Sequence, residues 1–285
     1  MALQESIVVK RVLVAMRNRS DAEVSANTAA VLAKAFNATV RGIFMADKRV
    51  KALPKIPGAI VVGSGGVPVK TTSKTQIKTA QDKEFIVCKR ALEGETGGTP
   101  LSCEVVHMSA ETNREIGAQI KRGDVILLNR SEVMEGLEEF LATSRAIAST
   151  GAGLVLISTQ LSPEPGPIIV IDDGDETALS AVALGGQIAE ETRHSIEVHI
   201  VADGKDEQIE IAARAEEILV GANDVRFKYF DTGDKEWILS NLSAAQPDMV
   251  LADIAGPLLM EDAFASRIMR AARAPLFVLG NSLRT

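Results

Sequence analysis

The residues of this chain with the clearest chemical potential are aspartates that follow short apolar runs. Asp172 ends the run IIVID, and Asp253 ends the run MVLAD and opens a loop that reaches Gly256. Ligands of open α/β sheets bind beyond the carboxyl ends of the strands, where such side chains and loops meet. We therefore predict a small-molecule cleft formed by Asp172, Asp253 and Gly256. The alternative interpretation of Asp172 is a polar residue that simply opens a turn.

Other residue types that catalyse reactions or bind metals are sparse. Cys88 and Cys103 are the two cysteines, too few for a structural zinc site and typical of buried small hydrophobes. His107, His194 and His199 are scattered without the i, i+4 spacing of helical metal ligands, which favours strand or surface histidines. No nucleophile elbow or Walker-type lysine loop is present. We expect no catalytic residue, no metal site and no enzyme.

Composition limits the partners. The chain has 285 residues, 46% of them hydrophobic, which suffices for two α/β domains with separate cores. A formal net charge of −7 argues against a general nucleic-acid binder. The first residues lack the features of a signal peptide, and no apolar run approaches membrane-spanning length. These features predict a cytoplasmic protein without membrane or nucleic-acid partners.

The two halves of the sequence repeat one another. Arg11 to Asp47 aligns without a gap on Pro167 to Asp203. Each segment passes from an apolar run through a polar turn into an alanine-rich stretch with helical spacing, and ends in a second apolar run. Later in each half, Gly123-Asp124 corresponds to Pro247-Asp248, again before an apolar run.

The elements between these anchors complete the same pattern in both halves. We predict strands at Leu101–His107 and Val225–Phe230, and helices at Lys74–Leu92, Glu111–Lys121, Asp206–Val220 and Lys235–Ala245. Each half then reads β-α-β-α-β-α-β-α-β, which indicates a parallel sheet with right-handed crossovers. The predicted fold is α/β, with two tandem Rossmann-like domains at 1–160 and 161–285. Each domain has a five-stranded, mainly parallel sheet with helices on both faces.

The first half carries an extra segment, Lys48 to Ser73. Its Gly-Ser-Gly-Gly lies between Ala59–Val62 and Val67–Val69, which favours a hairpin turn over a phosphate cradle because no helix follows. Four lysines make the segment basic, so it is either a partner-binding arm or a solvated loop. In the second half, Trp237 is expected to pack against the sheet.

Several of these motifs resemble those of the universal stress protein family. The run ending at Asp172, followed by DGDETA, is similar to that family's first strand, which ends in aspartate and leads into a Ser/Ala-rich helix. The segment from Ala263 to Leu279 is similar to its final helix and strand. Because the elements occur in order in both halves, the resemblance covers nearly all of the chain twice. It implies a tandem universal-stress-protein-like fold.

The resemblance also supplies a pattern for nucleotide binding. ATP-binding members use the strand-ending aspartate and a loop G-x-x-G, nine residues, G-[S/T], whose backbone N–H groups contact phosphate at a helix N-terminus. In the second half, Asp253 replaces the first glycine, Gly256 matches the second, and Asp262-Ala263 follows after only five residues. The second half therefore retains Asp172 and one glycine of the pattern.

The first half departs further from this pattern. Met16 stands at the aspartate position, Asn129 and Glu132 replace both glycines, and Phe140-Leu141 stands for G-[S/T]. Acidic residues crowd both loops, namely Glu132, Glu135, Glu138, Glu139, Asp253, Glu261 and Asp262. Like charges at about 4 Å repel by roughly 4 kcal/mol at an effective dielectric of about 20. Conventional ATP binding is therefore disfavoured, and no cofactor is expected.

These departures from the nucleotide-binding pattern determine which function we expect. The resemblance implies a stress-response regulatory or binding protein that acts through protein contacts. It also implies that the two halves pack as an internal pseudo-dimer through their last strands, as the family's dimers do. The sequence does not determine whether two chains also form a homodimer, and it does not specify the protein partners. The alternative is a nucleotide-binding stress protein that takes ATP or AMP in its second half, with weak ATPase activity.

Overall fold

A computed structural model of the chain describes residues 9–45, 60–62, 68–70, 74–96, 103–108, 120–121, 123–129, 153–157, 166–175, 178–222, 224–253 and 262–279. The elements of the first half are β1 (Arg11–Met16), α1 (Arg19–Ala35), β2 (Thr39–Met45), β3 (Ile60–Val62), β4 (Pro68–Lys70), α2 (Lys74–Thr96), β5 (Cys103–Met108), β6 (Asp124–Asn129) and β7 (Gly153–Ile157). Those of the second half are β8 (Ile168–Asp172), α3 (Ala178–Thr192), β9 (Ile196–Val201), α4 (Lys205–Ile218), β10 (Val225–Phe230), α5 (Lys235–Ala245), β11 (Met249–Asp253), α6 (Asp262–Ala272) and β12 (Leu276–Leu279).

Ten of these strands form one sheet, in the order β10-β9-β8-β11-β12-β7-β6-β1-β2-β5. Within each half all neighbouring strands are parallel, and the first strand lies between the second and the fourth. This is the doubly wound arrangement that strand–helix alternation predicts, so the predicted α/β fold with five parallel strands per half is confirmed.

The two five-stranded sheets join through the last strand of each half. β7 and β12 pair antiparallel, with Leu276 opposite Leu156 and Val278 opposite Leu154. This pair is the one antiparallel contact in the ten-stranded sheet. Backbone hydrogen bonds therefore continue from one half into the other, and α1 also packs against α3 across the same junction.

In the second half, helices cover both faces of the sheet, which explains the continuous apolar runs of its strands. All five residues of β8 are buried, as expected for a strand covered on both sides. One face packs against α1, α2, α3 and α4, through side chains such as Leu32, Leu92 and Ile188. The other face packs against α5 and α6, through side chains such as Leu242 and Phe264.

A glycine in α3 sets how closely this helix approaches β8. A Cβ atom on Gly185 would lie 2.5 Å from Cγ2 of Val170, closer than packed carbon atoms come. Glycine therefore lets the helix backbone rest directly on the strand.

The segment inserted into the first half contains a separate hairpin. β3 and β4 pair antiparallel, with Ile60 opposite Lys70 and Val62 opposite Pro68, in a two-stranded sheet of their own. The predicted hairpin is confirmed, while its Gly-Ser-Gly-Gly turn lies outside the described residues.

The predicted element boundaries hold closely where the structure describes them. β10 and α5 have the predicted bounds, whereas α2 continues four residues beyond Leu92 to Thr96. The predicted helix Glu111–Lys121 falls almost wholly outside the described residues. In the part of the chain described, no helix combines the length and apolar character needed to cross a membrane.

Candidate functional site

Asp172 and Asp253 end two neighbouring strands of the second half. β8 and β11 are parallel, with Met249 opposite Ile168 and Leu251 opposite Val170, so their carboxyl ends reach the same edge of the sheet. The strand order also reverses here, because β9 lies on one side of β8 and β11 on the other. Such a switch point opens a crevice in doubly wound sheets. The structure therefore brings these two predicted site residues to one edge.

Asp172 is completely buried. Its Oδ1 accepts a hydrogen bond of 3.0 Å from the backbone N–H of Gly174, whereas Oδ2 is buried and has no hydrogen-bond partner among the described residues. Burial raises the pKa of Asp172, and the Gly174 N–H and the charge of Arg214 partly oppose that rise. The carboxylate is thus held in a turn with one oxygen uncommitted.

Asp173 belongs to the same site, although sequence analysis did not single it out. Burial raises the pKa of its carboxyl to about 6, and the negative charges of Asp172 and Asp253 add to that rise. Its Oδ1 is buried without a hydrogen-bond partner within the described ranges. The signal available in the sequence was the doubled aspartate directly after a buried strand.

Arg214 supplies the positive charge of the site and was also missed. Its Nη2 donates a hydrogen bond of 3.3 Å to the carbonyl of Gly174, and its Nε is buried without a partner in the described part of the chain. Gly174 has a φ of +83°, and a Cβ atom there would lie 2.7 Å from Cδ1 of Ile211. Because Arg214 reaches this turn from α4, no local sequence pattern connects the two.

Asp253 is 5% exposed at the end of β11, in the position of the first glycine of the phosphate loop. Its effect on the pKa of Asp173 shows that the two carboxylates interact electrostatically. Gly256, the third predicted site residue, lies outside the described residues, and α6 begins at Asp262. The described site therefore consists of three aspartates, one arginine and the backbone of Gly174.

The corresponding edge of the first half has a different character. Met16, which stands at the aspartate position, is fully buried at the end of β1. At the start of α1, the Asn18 side chain accepts a 2.9 Å hydrogen bond from the N–H of Asp21, and the Asp21 carboxylate accepts one of 3.0 Å from the N–H of Arg17. The N-terminus of α1 is thus capped by side chains of its own chain.

Metal binding and thiol chemistry gain no support from the described residues. No group of three or more His, Cys, Asp or Glu side chains within them is arranged to hold a metal ion. Cys88 is buried on α2, where burial and then the charges of Glu84 and Asp21 raise the pKa of its thiol to about 12. A thiol with that pKa is protonated at neutral pH and is a poor nucleophile.

His199 lies within β9, where apolar side chains cover the sheet, and not at the carboxyl edge. It is fully buried on β9, and its Nε2 is 2.5 Å from Oε1 of Glu197. The same carboxylate oxygen is 2.8 Å from Nζ of Lys228 on β10. Burial opposes ionisation of Glu197, but the hydrogen bonds from His199 and Lys228 outweigh it and lower the pKa of Glu197 to about 2. These contacts tie two strands together.

Comparison with known proteins agrees with this architecture. No family model and no curated protein sequence matches the chain. A universal stress protein from Archaeoglobus fulgidus DSM 4304 superposes with a TM-score of 0.60 at 11% identity, over 97% of this chain and 99% of that one. A putative universal stress protein from Pseudomonas aeruginosa UCBPP-PA14 gives a TM-score of 0.53 at 11% identity, over 95% and 93% of the two chains.

The cytoplasmic domain of a prokaryotic cation chloride cotransporter is similar as well, with a TM-score of 0.58 at 11% identity over 98% of this chain and 97% of that one. These superpositions extend over nearly the whole length of each chain, so they include both halves and the junction between them. At such low identity they describe the fold and leave the activity open. The chain has the universal stress protein fold, built twice in one polypeptide.

Proposed function

We propose that this chain is a regulatory or binding protein of the universal stress protein type that acts through protein contacts rather than by binding ATP in the conventional way. The observation that carries the proposal is Asp253, a buried carboxylate where the phosphate loop would begin with glycine. A glycine there would let backbone N–H groups approach a phosphate, whereas a carboxylate places negative charge against it. The proposed role is in stress response, in the cytoplasm, without catalysis.

Electrostatics of the second half support this proposal. Asp172, Asp173 and Asp253 share one edge of the sheet, and their charges already oppose one another enough to contribute to the raised pKa of Asp173. Among the described residues, the charge of Arg214 acts on Asp172. A nucleotide phosphate would add further negative charge to three carboxylates that already lie at one edge of the sheet. Binding would therefore require uptake of protons or of a compensating cation.

In the first half, the helix that follows β1 is already capped, and the glycines of the phosphate loop are replaced. A helix N-terminus attracts anions because its first N–H groups lack partners within the helix. Asn18 and Asp21 already accept hydrogen bonds from this region, and Asp21 is 4% exposed. The phosphate-loop positions of the first half run from Asn129 to Leu141 and lie outside the described residues beyond Asn129, so what disfavours a phosphate there is the loss of both glycines to Asn129 and Glu132. We propose that neither half binds a triphosphate.

Protein contact then becomes the route by which the chain acts. The antiparallel β7–β12 pair and the packing of α1 on α3 support an internal pseudo-dimer, in which one chain presents two related halves. A further association of two chains into a homodimer stays open. Light scattering of the purified protein across a concentration series distinguishes monomer from dimer.

One observation favours the alternative, a stress protein that binds ATP or AMP in its second half. Asp172 keeps the strand-ending position of the family's binding site, and its Oδ2 is buried without a hydrogen-bond partner among the described residues. A ligand that donates a hydrogen bond would satisfy this oxygen. The adenosine part of a nucleotide carries such donors.

Calorimetric titration with ATP, ADP and AMP in the presence of Mg²⁺ tests these two functions, together with an ATPase assay. Our proposal expects no saturable heat, no thermal stabilisation and no phosphate release. A bound ligand at about 100 times its Kd would stabilise the protein by roughly 2.7 kcal/mol, which thermal unfolding detects easily. Saturable binding that is lost in Asp172→Ala and kept in Asp206→Ala, an exposed aspartate on α4, would establish the alternative.

A further inference from the structure

Tyr229, the single tyrosine of the chain, is 50% exposed although it lies on a strand. Among the described residues, the large apolar side chains with high exposure are Ile86, Ile209, Val220, Tyr229 and Trp237. Of these, Tyr229 is the one on a strand. Every residue of the neighbouring strand β9 is buried, as expected where helices cover a sheet. The exposure of Tyr229 therefore requires an explanation.

Trp237 is exposed for a reason of its own. Its side chain is 60% exposed, so the expectation that it packs against the sheet is wrong. The helix α5 buries Ile238, Leu239 and Leu242, which turns Trp237 outward. A single exposed apolar residue on a helix is common at protein surfaces, whereas exposure on a strand reflects the position of the strand in its sheet.

β10 is an end strand of the ten-stranded sheet, with β9 on one side and no described strand on the other. The carbonyls of Asp224 and Phe230 accept hydrogen bonds of 3.2 and 3.1 Å from N–H groups of the segment that contains β9. Because backbone groups alternate in direction along a strand, the even-numbered residues of β10 face β9. The residues whose N–H and C=O groups face the open edge are then Val225, Phe227 and Tyr229.

These outward-facing residues also share one apolar face. Val225 and Phe227 are partly buried against the core on the side of α4, and Tyr229, two residues further, points to the same face. Phe230 is the one fully buried residue of β10. The edge thus combines outward-facing backbone groups with an aromatic stripe, the two features that an added strand uses.

The cations of β10 are already balanced within the chain. Nη2 of Arg226 lies 2.6 Å from Oδ2 of Asp224. Nζ of Lys228 lies 2.8 Å from Oε1 of Glu197 on β9. A lysine on an edge strand ordinarily blocks pairing with another chain. Here Glu197 holds the ammonium group toward β9, away from the edge.

We infer that two copies of this chain pair antiparallel along β10, with Phe227 of each copy opposite Tyr229 of the other. The two-fold axis then passes at Lys228, and residues 225–231 of the copies overlap. Opposite residues whose backbone groups face one another exchange both N–H···O=C bonds, which Phe227 and Tyr229 do twice, once on each side of the axis. The two aromatic pairs add side-chain contact on the face of α4.

The register follows from the aromatic pairs and from the cations. In a register two residues earlier, Arg226 would lie opposite Lys228 in both copies, and like charges directly opposite destabilise a sheet. In a register two residues later, Phe227 would lie opposite Asp231, and the aromatic pairs would be lost. The inferred register has one like-charge contact, Lys228 with its own copy, and Glu197 draws that side chain away from the axis.

The remaining acidic residues permit this association. The two Asp231 side chains lie at opposite ends of the overlap, about 20 Å apart, which exceeds the screening length of about 8 to 10 Å. Asp234 and Glu236 follow at the start of α5, past the paired residues. A single pair of strands buries less than the roughly 1,200 Å² of a stable interface, so we expect a dissociation constant in the micromolar range.

Sedimentation velocity over a concentration series tests the inference. The chain of 30.3 kDa should double its mass as its concentration rises from about 1 to 300 µM. Added salt should leave the dimer unchanged or tighten it, because screening weakens the repulsion between two chains of formal net charge −7.

Variants of Tyr229 assign the contact to this edge. Tyr229→Pro removes the outward N–H and the ring but leaves the bonds of β10 to β9, and it should weaken the dimer at least tenfold. Tyr229→Phe keeps both features and should keep the dimer. Ile86→Lys, at an exposed apolar residue on α2, should also keep it.

A cysteine at the two-fold axis tests the register. Lys228 of the two copies would form a non-hydrogen-bonded pair with Cα atoms about 4.5 Å apart, within the range of roughly 4.4 to 6.8 Å that a disulfide spans. Lys228→Cys should give a disulfide-linked dimer on mild oxidation. The wild type and Glu217→Cys, an exposed position on α4, should give none under the same treatment.

Circular dichroism and thermal unfolding confirm that each variant is folded. If Tyr229→Pro does not fold, Tyr229→Lys takes its place, because it puts a charge on the edge without changing the backbone. A monomer at every concentration, or equal weakening by Tyr229→Pro and Ile86→Lys, would overturn the inference. So would a mass that rises beyond the dimer, which indicates head-to-tail pairing of different edges. A dimer without the Lys228→Cys crosslink would overturn the register.

Discussion

The side-chain amide of Gln187 on α3 donates a hydrogen bond of 3.0 Å to the backbone carbonyl of Ala35, the last residue of α1. This carbonyl is one of the helix-terminal acceptors that lack a partner within α1. The two residues belong to different halves, so the bond fastens the halves together at the sites where their first helices touch.

Removing the Gln187 amide should therefore weaken the junction. We expect Gln187→Ala to lower the free energy of unfolding by about 1 kcal/mol, the usual net value of such a hydrogen bond. Urea unfolding followed by circular dichroism measures the change. Glu190→Ala, an exposed residue on the same helix, is the control and should change stability by less than about 0.5 kcal/mol. Equal effects of the two variants would mean that the bond contributes nothing specific.

Asp173 should make stability fall as pH rises from about 4 to 6. Its pKa is raised from 3.8 to about 6 in the folded protein, so the unfolded chain loses its proton first. The stabilisation is fully present below about pH 4 and is lost by about pH 6. Asp173→Asn should remove this slope and raise the free energy of unfolding at pH 7 by about 1 to 3 kcal/mol.

Urea midpoints measured between pH 4 and pH 7.5 check the Asp173 prediction. Glu216→Gln, at an exposed position on α4, serves as the control and should follow the wild-type pH dependence. If Asp173→Asn keeps the wild-type slope, the carboxyl is not the group responsible.

Glu197 should act in the opposite direction at lower pH. Its pKa is lowered from 4.5 to about 2, so on acidification the unfolded chain takes up a proton before the folded protein does. The stability that Glu197 contributes is present above about pH 4.5 and is lost as the pH falls toward 2. Glu197→Gln should cost about 2 to 4 kcal/mol at pH 7, because it removes the negative charge that His199 and the partly buried Lys228 share.

Stability at pH 7 and pH 3 separates this ion-pair effect from a simple packing defect. The difference between wild type and Glu197→Gln should shrink at pH 3, where part of the stabilisation by Glu197 is already lost. A constant difference at both pH values would show that the substitution acts through packing instead.

Two glycine-to-alanine substitutions should change the free energy of unfolding in opposite directions. At Gly185, the new methyl group would lie 2.5 Å from Val170 in the core, and we expect a loss of about 1 to 3 kcal/mol. At Gly94, near the end of α2, the methyl group would meet nothing within 4 Å, and the better helix propensity of alanine should add about 0.5 to 1 kcal/mol. Thermal and urea unfolding measure both, and a stabilised Gly185→Ala would contradict the close contact.

Much of the fold was predictable because each half repeats the same apolar periodicity. The sequence predicts β10 and α5 at their observed bounds. Over six to eleven residues, the alternating or continuous apolar pattern of a strand differs clearly from the periodicity of a helix. The pairing of β7 with β12 does not follow from local sequence, because it depends on how two completed sheets meet. No local pattern in Leu154 or Leu276 specifies their pairing.

The site was predictable in part. Asp172 and Asp253 could be found because both end apolar strands, and parallel strands share their carboxyl edge. Arg214 could not, since it reaches Gly174 from a helix forty residues away in sequence. Trp237 was misplaced because residue type favours burial, whereas its position on α5 opposite Leu242 turns it outward.

The antiparallel pairing of β7 with β12 also sets the directions in which the molecule can be approached. Within the ten-stranded sheet, the strands of one half run opposite to those of the other, so their carboxyl ends emerge at opposite edges of the sheet. The aspartate group after β8 and the capped helix after β1 therefore open toward opposite sides of the protein. A ligand or partner at one edge leaves the other clear, and one chain can be engaged from two sides at once.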